Sequence, residues 1–257
     1  MAKILIFDIE TRPNLAYVWR FFKENISPKQ VVEYSKIMSF AAKWLDSDEV
    51  FYFSSNDLSE KQLIKELFKL IDKADIVVAH NGKKFDLGKI KARALVHGLK
   101  PPSPVKIVDT LISARNEFMF ESNSLEGIAD ALKCKSRKGG HKKFPGFELW
   151  LECLKNNPEA WEELKLYNIQ DVYTLEEVYL KMRPWISNHP NVGLMDEGVN
   201  TACPKCGSTH VHFRGYVKLV ASQYRKFQCQ ECGGWGRLRT NVLPKERREG
   251  LAANIAG

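Results

Sequence analysis

No stretch of this 257-residue chain approaches the ~18 consecutive apolar residues that a membrane-spanning helix needs, which excludes a transmembrane span. The start is no secretory leader either, because Met1 to Glu10 carries Asp8 and Glu10 within its apolar run. Cysteine is scarce, with six residues in all, and without a leader a disulfide framework is not expected. A reducing, cytoplasmic setting is the expectation that follows. Internal repeats and long low-complexity segments are also lacking. What is present is ordinary: 44% hydrophobic and 27% charged residues, enough to bury a core and to exclude disorder as the main state. The length suits one large domain plus a small one.

The 31 acidic residues are outnumbered by 39 Lys and Arg, for a formal net charge of +8. The excess is not spread evenly. Residues 197–257 hold 10 basic and 4 acidic side chains, and Lys133 to Lys143 holds 6 basic and no acidic ones. Everything else is net −4. A basic excess permits a nucleic-acid partner, although solvated charge runs without one are common.

Hydrophobic patterning divides the chain similarly. Lys3 to Ile9 reads as a buried strand, with further strands expected at Ile37 to Leu45 and Glu49 to Phe53. Asp57 opens a helix whose apolar positions Leu63, Ile64, Leu67, Phe68 and Ile71 recur at helical spacing. Asp75 to Ala79 is a short buried strand, a helix follows near Asp86 to His97, and Val105 to Val108 is a fifth strand. The chain then reads as wholly helical, with Pro158 at a helix N1 behind Asn157 as cap. Strands first and then strands alternating with helices indicate an α/β layer on a mixed five-stranded sheet. Pro184 through Gly198 is rich in Pro, Gly and Asn and reads as a linker. The expected division is a domain at 1–185, a linker at 186–198, a second domain at 199–242 and a basic, flexible tail at 243–257.

Three short motifs carry chemistry. Asp8 and Glu10 sit one residue apart at a strand end, which places both carboxylates on one face, roughly 7 Å apart. Two carboxylates on a core strand repel each other unless something compensates, and a hard divalent cation such as Mg²⁺ or Mn²⁺ does so. Simple solvent exposure of the strand end is the competing explanation. Asn81-Gly-Lys-Lys-Phe85-Asp86 follows a buried strand, outside whose carboxyl end ligands of α/β sheets gather. Tyr167 and Asp171 are four apart on a helix, so phenol and carboxylate share one surface.

In this order, Phe7-Asp-Ile-Glu-Thr11, His80-Asn-Gly-Lys-Lys-Phe-Asp86 and Tyr167-Asn-Ile-Gln-Asp171 resemble the three motifs of the DEDD superfamily of 3′–5′ exonucleases, whose fold is ribonuclease H-like. The tyrosine resembles the branch that includes the proofreading domains of DNA polymerases. The resemblance covers roughly residues 1–185. It implies that Asp8, Glu10, Asp86 and Asp171 hold two Mg²⁺ or Mn²⁺ ions, about 3.5–4 Å apart, that clamp the attacking and leaving oxygens of an in-line displacement. In that scheme Asp8 bridges the ions, Glu10 and Asp171 serve the ion that activates water, and Asp86 acts at the other through water. Tyr167 orients the attacking water or helps remove its proton, an ordinary pKa near 10 favouring positioning over full general-base duty. Asn81 and Phe85 contact substrate in the family's manner, with a core role as the alternative for Phe85. Asp109-Thr110, after the fifth strand, also fits the family's pattern and is read as structural or supporting.

The remaining cysteines form a second signal. Cys203, Cys206, Cys229 and Cys232 make a C-x2-C-x22-C-x2-C pattern, each pair followed by glycine, which suits a closed tetrahedral Zn²⁺ site and resembles a zinc ribbon. Such an ion is structural, since four thiolates leave no open position. Around it Arg225 and Lys226 lie among aromatics, a composition that suits base stacking and phosphate contact. Filling of a small core, or docking of a protein, are the other readings of the same residues. Cys134 and Cys153 read as ordinary buried thiols. The Lys133 to Lys143 run suits either a phosphate clamp or a solvated loop.

The expectation from sequence is therefore a free-standing 3′–5′ exonuclease with a structural zinc and two catalytic divalent cations. It would release nucleoside 5′-monophosphates from single-stranded DNA or DNA 3′ ends in replication or repair, with any polymerase supplied in trans. An exoribonuclease with the same chemistry and a non-catalytic nucleic-acid-binding or polymerase-accessory module are the alternatives, because nothing in the motifs selects deoxyribose.

Overall fold

The computed structural model describes residues 2–136, 143–195 and 201–252. Contacts divide the chain into two compact units, Lys3–Tyr179 and, with Ala2, Leu180–Gly257.

The first unit is built on five strands: β1 (Ile4–Thr11), then, beyond the short strands β2 (Leu15–Ala16) and β3 (Val31–Glu33), β4 (Ile37–Trp44), β5 (Val50–Ser54), β6 (Ile76–Ala79) and β7 (Lys106–Asp109). Their order is β5-β4-β1-β6-β7. β4 runs antiparallel to β1 and β5, while β6 is parallel to β1 and β7. This is the mixed five-stranded α/β sheet with flanking helices expected from the sequence.

Helices α1 (Glu60–Ile71) and α2 (Asp86–Val96) lie between β5 and β7 in the chain; α3 (Thr110–Glu117), α4 (Leu125–Ala131), α5 (Glu148–Leu154) and α6 (Pro158–Met182) follow β7. Alternation along β1 decides what each face carries. Leu5, Phe7 and Ile9 join the main core with Leu63, Ile64 and Leu67 of α1 and Ile90 of α2. Asp8 and Glu10 therefore point to the opposite face, where α6 packs. On α6 the buried positions Trp161, Leu164, Asn168, Asp171, Val172 and Leu175 recur at helical spacing. Two buried polar residues of β4 lock that helix: Ser39 Oγ donates to Asn168 Oδ1 at 3.1 Å, and Lys43 pairs with Glu176.

Two boundaries differ from the sequence expectation. β1 runs on to Thr11, with a register shift against β4 between Glu10 and Thr11, so the strand extends past the expected end at Ile9 and takes in Glu10. The first helix starts not at Asp57 but behind Ser59, which forms a capping box with Gln62; Asp57 instead accepts a hydrogen bond from Ser54 Oγ at 2.8 Å. The contact division between the two units falls within α6, at Tyr179 and Leu180.

The second unit contains a three-stranded antiparallel sheet of β8 (Val211–Leu219), β9 (Ser222–Cys229) and β10 (Trp235–Asn241), in the order β10-β9-β8. Gly236 is required there by close approach, since a Cβ would meet the Phe227 ring at 2.4 Å. Within the stretch expected as a linker, Ile186 and Val192 are buried and Val192–Met195 forms a 3-10 turn; residues 196–198 lie outside those described. In the expected tail, α7 (Lys245–Glu249) is a short exposed helix, and residues 253–257 lie outside those described. Of the basic run Lys133 to Lys143, residues 137–142 are likewise outside. Its described ends are held by acids of α6: the Lys135 and Ser136 amides donate to Glu177, and the Lys143 amide donates to Glu163. Among the described residues no helix is long and apolar enough to cross a membrane.

Candidate active site and cysteine cluster

Three of the four sequence-predicted acids converge. One carboxylate oxygen each from Asp8, Glu10 and Asp171 lies within 4.8 Å of the other two. Neighbouring positions on one face of β1 bring the first pair together, and α6 delivers the third. Asp171 is buried, while Asp8 and Glu10 are half-buried. Asn168, one turn before Asp171, donates from Nδ2 to Asp8 Oδ2 at 2.8 Å. Its Oδ1 in turn accepts from Ser39, so the amide's orientation is fixed from both sides. Like charges at this spacing repel, and hard oxygen donors are the ligands that Mg²⁺ and Mn²⁺ prefer; the donor set fits such a cation.

Asp86 stands outside that trio. It is buried at the start of α2 and accepts a hydrogen bond from the Ile9 amide, the backbone group between Asp8 and Glu10, at 3.3 Å. Burial pushes its carboxyl up to about 7, against the pull of that hydrogen bond and with added repulsion from Asp109. Asp86 is thus fastened to the strand that carries Asp8 and Glu10.

The loop that delivers Asp86 is itself fixed. Asn81 adopts a left-handed conformation (φ 64°), and a Cβ on Gly82 would meet the Ala79 side chain at 2.4 Å. Asp109, at the end of β7, accepts from the Asn81 and Lys83 amides at 3.1 and 2.9 Å while also capping α3. That gives Asp109 the supporting part read from the sequence. His80 is held between Thr110 Oγ1 and the Asn123 carbonyl, at 2.9 and 3.1 Å. Phe85 is 45% exposed and so is not the core residue of the alternative reading. Tyr167 is half-buried, with its ring edge-on to Trp150 at 6.3 Å between centroids.

Sequence reasoning missed Asn168 and Ser39. A signal existed for the first: an amide three positions before Asp171 lies on the same buried helix face and needs partners there.

In the second unit the four cysteine sulfurs lie within 4.8 Å of one another. Cys203–Cys232 and Cys206–Cys229 are each 3.6 Å apart, too far for disulfides, and all are free thiols. Tetrahedral zinc with Zn–S bonds of ~2.3 Å requires sulfurs about 3.8 Å apart, so the donor set fits that ion. The Cys203 thiol is held down at about 5 by its hydrogen bond with Cys232, whereas burial pushes Cys206 up to about 11. The Arg225 guanidinium stacks on Phe213 at 4.0 Å and the Lys226 ammonium lies 5.3 Å from Trp235. Both residues expected to contact nucleic acid are therefore already engaged with rings of the three-stranded sheet.

A family model described as RNase_H superfamily matches residues 32–183. No curated protein matches the sequence. Among solved structures, the chain is similar to the family B DNA polymerase from the hyperthermophilic archaeon Pyrobaculum calidifontis, with a TM-score of 0.53 and 15% identity. The match covers 72% of this chain and 26% of the polymerase. At that identity the likeness is one of fold.

Proposed function

The chain belongs to the RNase H superfamily, and from that premise we propose that it is a divalent-metal-dependent 3′–5′ exonuclease, releasing nucleoside 5′-monophosphates from single-stranded DNA. The observation that carries this reading is the convergence of Asp8, Glu10 and Asp171 oxygens within 4.8 Å on the α6 face of β1. When bound, a pair of divalent cations supplies charge neutralisation at the attacking and leaving oxygens of the phosphodiester. Asp8, Glu10 and Asp171 are the residues to hold them, with Asp86 bonded to the Ile9 amide between the first two. Asn168 holds Asp8 in place through its hydrogen bond to Oδ2. Tyr167, one turn before Asp171 on α6, positions the attacking water from the same helix surface. Phe85, exposed beside Asp86, is suited to stack on the terminal base. In the second unit Cys203, Cys206, Cys229 and Cys232 hold one structural Zn²⁺, and the basic ribbon with Arg225 and Lys226 adds grip on the strand.

The test uses the full chain with Mn²⁺ or Mg²⁺ and 5′-labelled single-stranded DNA, RNA and duplex, each with a free or blocked 3′ end. A descending ladder on single-stranded DNA that disappears with the 3′ block is the expected result. Faster degradation of RNA would make the chain an exoribonuclease, internal cuts an endonuclease, and no cleavage a binding module.

A further inference from the structure

Between β1 and β4 the chain leaves the sheet for residues 12–36, a segment to which the site described above assigns no part. This arm is a built element. The Arg12 amide donates to the Lys36 carbonyl at its base, β2 pairs with β3, and the Tyr17 amide donates to the Gln30 carbonyl at 2.9 Å. A capping box joins Ser27 and Gln30. Yet its large apolar side chains face water: Trp19 is 94% exposed, Phe21 93%, Phe22 82% and Tyr17 77%. Single exposed apolar residues are common, but four aromatics within six positions of a hydrogen-bonded arm mark a surface that something covers.

Charge says what covers it. The arm has five basic and two acidic residues. Both acids are consumed internally. Glu33 pairs with Arg12, and the Glu24 carboxylate accepts from the Trp19 and Arg20 amides at 3.0 and 2.9 Å and from Gln30 at 2.9 Å. Exposed Arg20 and Lys23 are left interleaved with the aromatics, with no carboxylate directed outward among them. Protein interface cores are depleted of lysine, whereas ring faces alternating with cations suit an unpaired polyanion whose bases stack. The arm also springs from the strand of acids, since Thr11, the last residue paired with β4, directly follows Glu10.

We propose that residues 12–36 form a stacking platform for single-stranded nucleic acid, on which Trp19, Phe21 and Phe22 take base faces and Arg20 and Lys23 take phosphates. The proposal rests on the exonuclease reading for its choice of ligand, and it assigns the selection of unpaired strands to the arm. Duplex bases already cover each other's faces and gain nothing from the platform.

The test is anisotropy of fluorescein-labelled 20-mers in EDTA, where no cleavage occurs, using the full chain and its Phe21→Ala/Phe22→Ala and Trp19→Ala variants. Each variant is expected to bind single strands about 10-fold or more weakly, with duplex affinity and melting temperature unchanged. Arg20→Gln/Lys23→Gln should instead lower the salt slope by about 1 to 2. Aromatic variants that keep wild-type single-strand affinity overturn the proposal. Two other occupants have distinct signatures. Loss of a dimer on sizing, or loss of sedimentation with phosphatidylserine–phosphatidylcholine vesicles, with single-strand affinity intact, would assign the arm to a second copy or to a membrane and likewise overturn it. The exonuclease reading is judged separately, by wild-type cleavage of a dinucleotide too short to reach the arm. A chain that cleaves nothing but loses binding in the arm variants refutes only that reading.

Discussion

The Asn168 amide donates to Asp8 Oδ2 at 2.8 Å and thereby ties α6 to the central strand at the point where the acids converge. The same side chain accepts from Ser39 of β4, so three elements fix one carboxylate. Partners of this kind commonly change metal affinity or activity by 10- to 100-fold when removed. Asn168→Ala should therefore lower nuclease activity on the order of 10-fold or more and raise the Mn²⁺ concentration needed for half-maximal rate. Metal titration of the initial rate checks this. A purely structural part would lower the melting temperature without moving the metal requirement.

Asp8 itself offers a test with opposite signs for activity and stability. Asp8→Ala should abolish cleavage, because it removes one of the three acids that converge at the site. It also removes one of three like charges, so the melting temperature in EDTA should hold or rise. Stabilisation by added Mn²⁺, expected in the wild type through preferential binding to the folded state, should be lost. Thermal melts with and without metal, beside the ladder assay, give both readings. Wild-type cleavage rates in the variant would exclude Asp8 from the site.

Much of this site was legible in the sequence because its chemistry rides on local geometry. Asp8 and Glu10 share a face through the two-residue period of a strand, and Tyr167 and Asp171 share one through the helical repeat. The five strands were legible because each is a short apolar run bounded by turn residues. What could not be read depends on long-range packing. That Asp86 bonds to the Ile9 amide rather than joining the trio follows from how β6 and α2 lie beside β1, which spacing does not encode. Asp57 looked like a helix cap because Asp caps well. The Ser59–Gln62 box two residues later competes better, satisfying two backbone amides reciprocally, while the Ser54 hydroxyl occupies Asp57. The aromatic arm gave no periodic signal, since its short strands pair across 15 residues or so of irregular chain.

The cysteine cluster predicts about one zinc per chain, measurable by elemental analysis of the purified protein. Cys206→Ser should lose most of it, because sulfurs placed 3.6 Å apart in two pairs form one closed site rather than two independent ones. In a sheet this small, ion binding is a large share of folding energy. The variant and the chelated wild type should both lose amide-exchange protection in β8–β10, while protection in β1 and β6 persists. Unchanged protection after the zinc is removed would show that the three-stranded sheet folds without it.

Glu60, at the start of α1, gathers Arg93 at 2.6 and 2.8 Å, His97 at 2.8 Å and the Ile37 amide at 2.9 Å. Burial pushes its carboxyl up, but the hydrogen bonds from Arg93, His97 and Ile37 outweigh it and hold the group below its ordinary value of 4.5. A folded-state value below the unfolded one means that the native state favours the ionised form. The resulting stability is fully present above the unfolded value and is lost as pH falls through the folded one. Glu60→Gln should cost ~1–3 kcal/mol near neutral pH, the scale of hydrogen bonds to a charged group. Urea midpoints measured from pH 7 to pH 3 should show the gap between wild type and variant closing below about pH 4.5. A gap that stays constant across that range would mean that the carboxylate's charge, as distinct from its shape, contributes nothing to joining α1, α2 and β4.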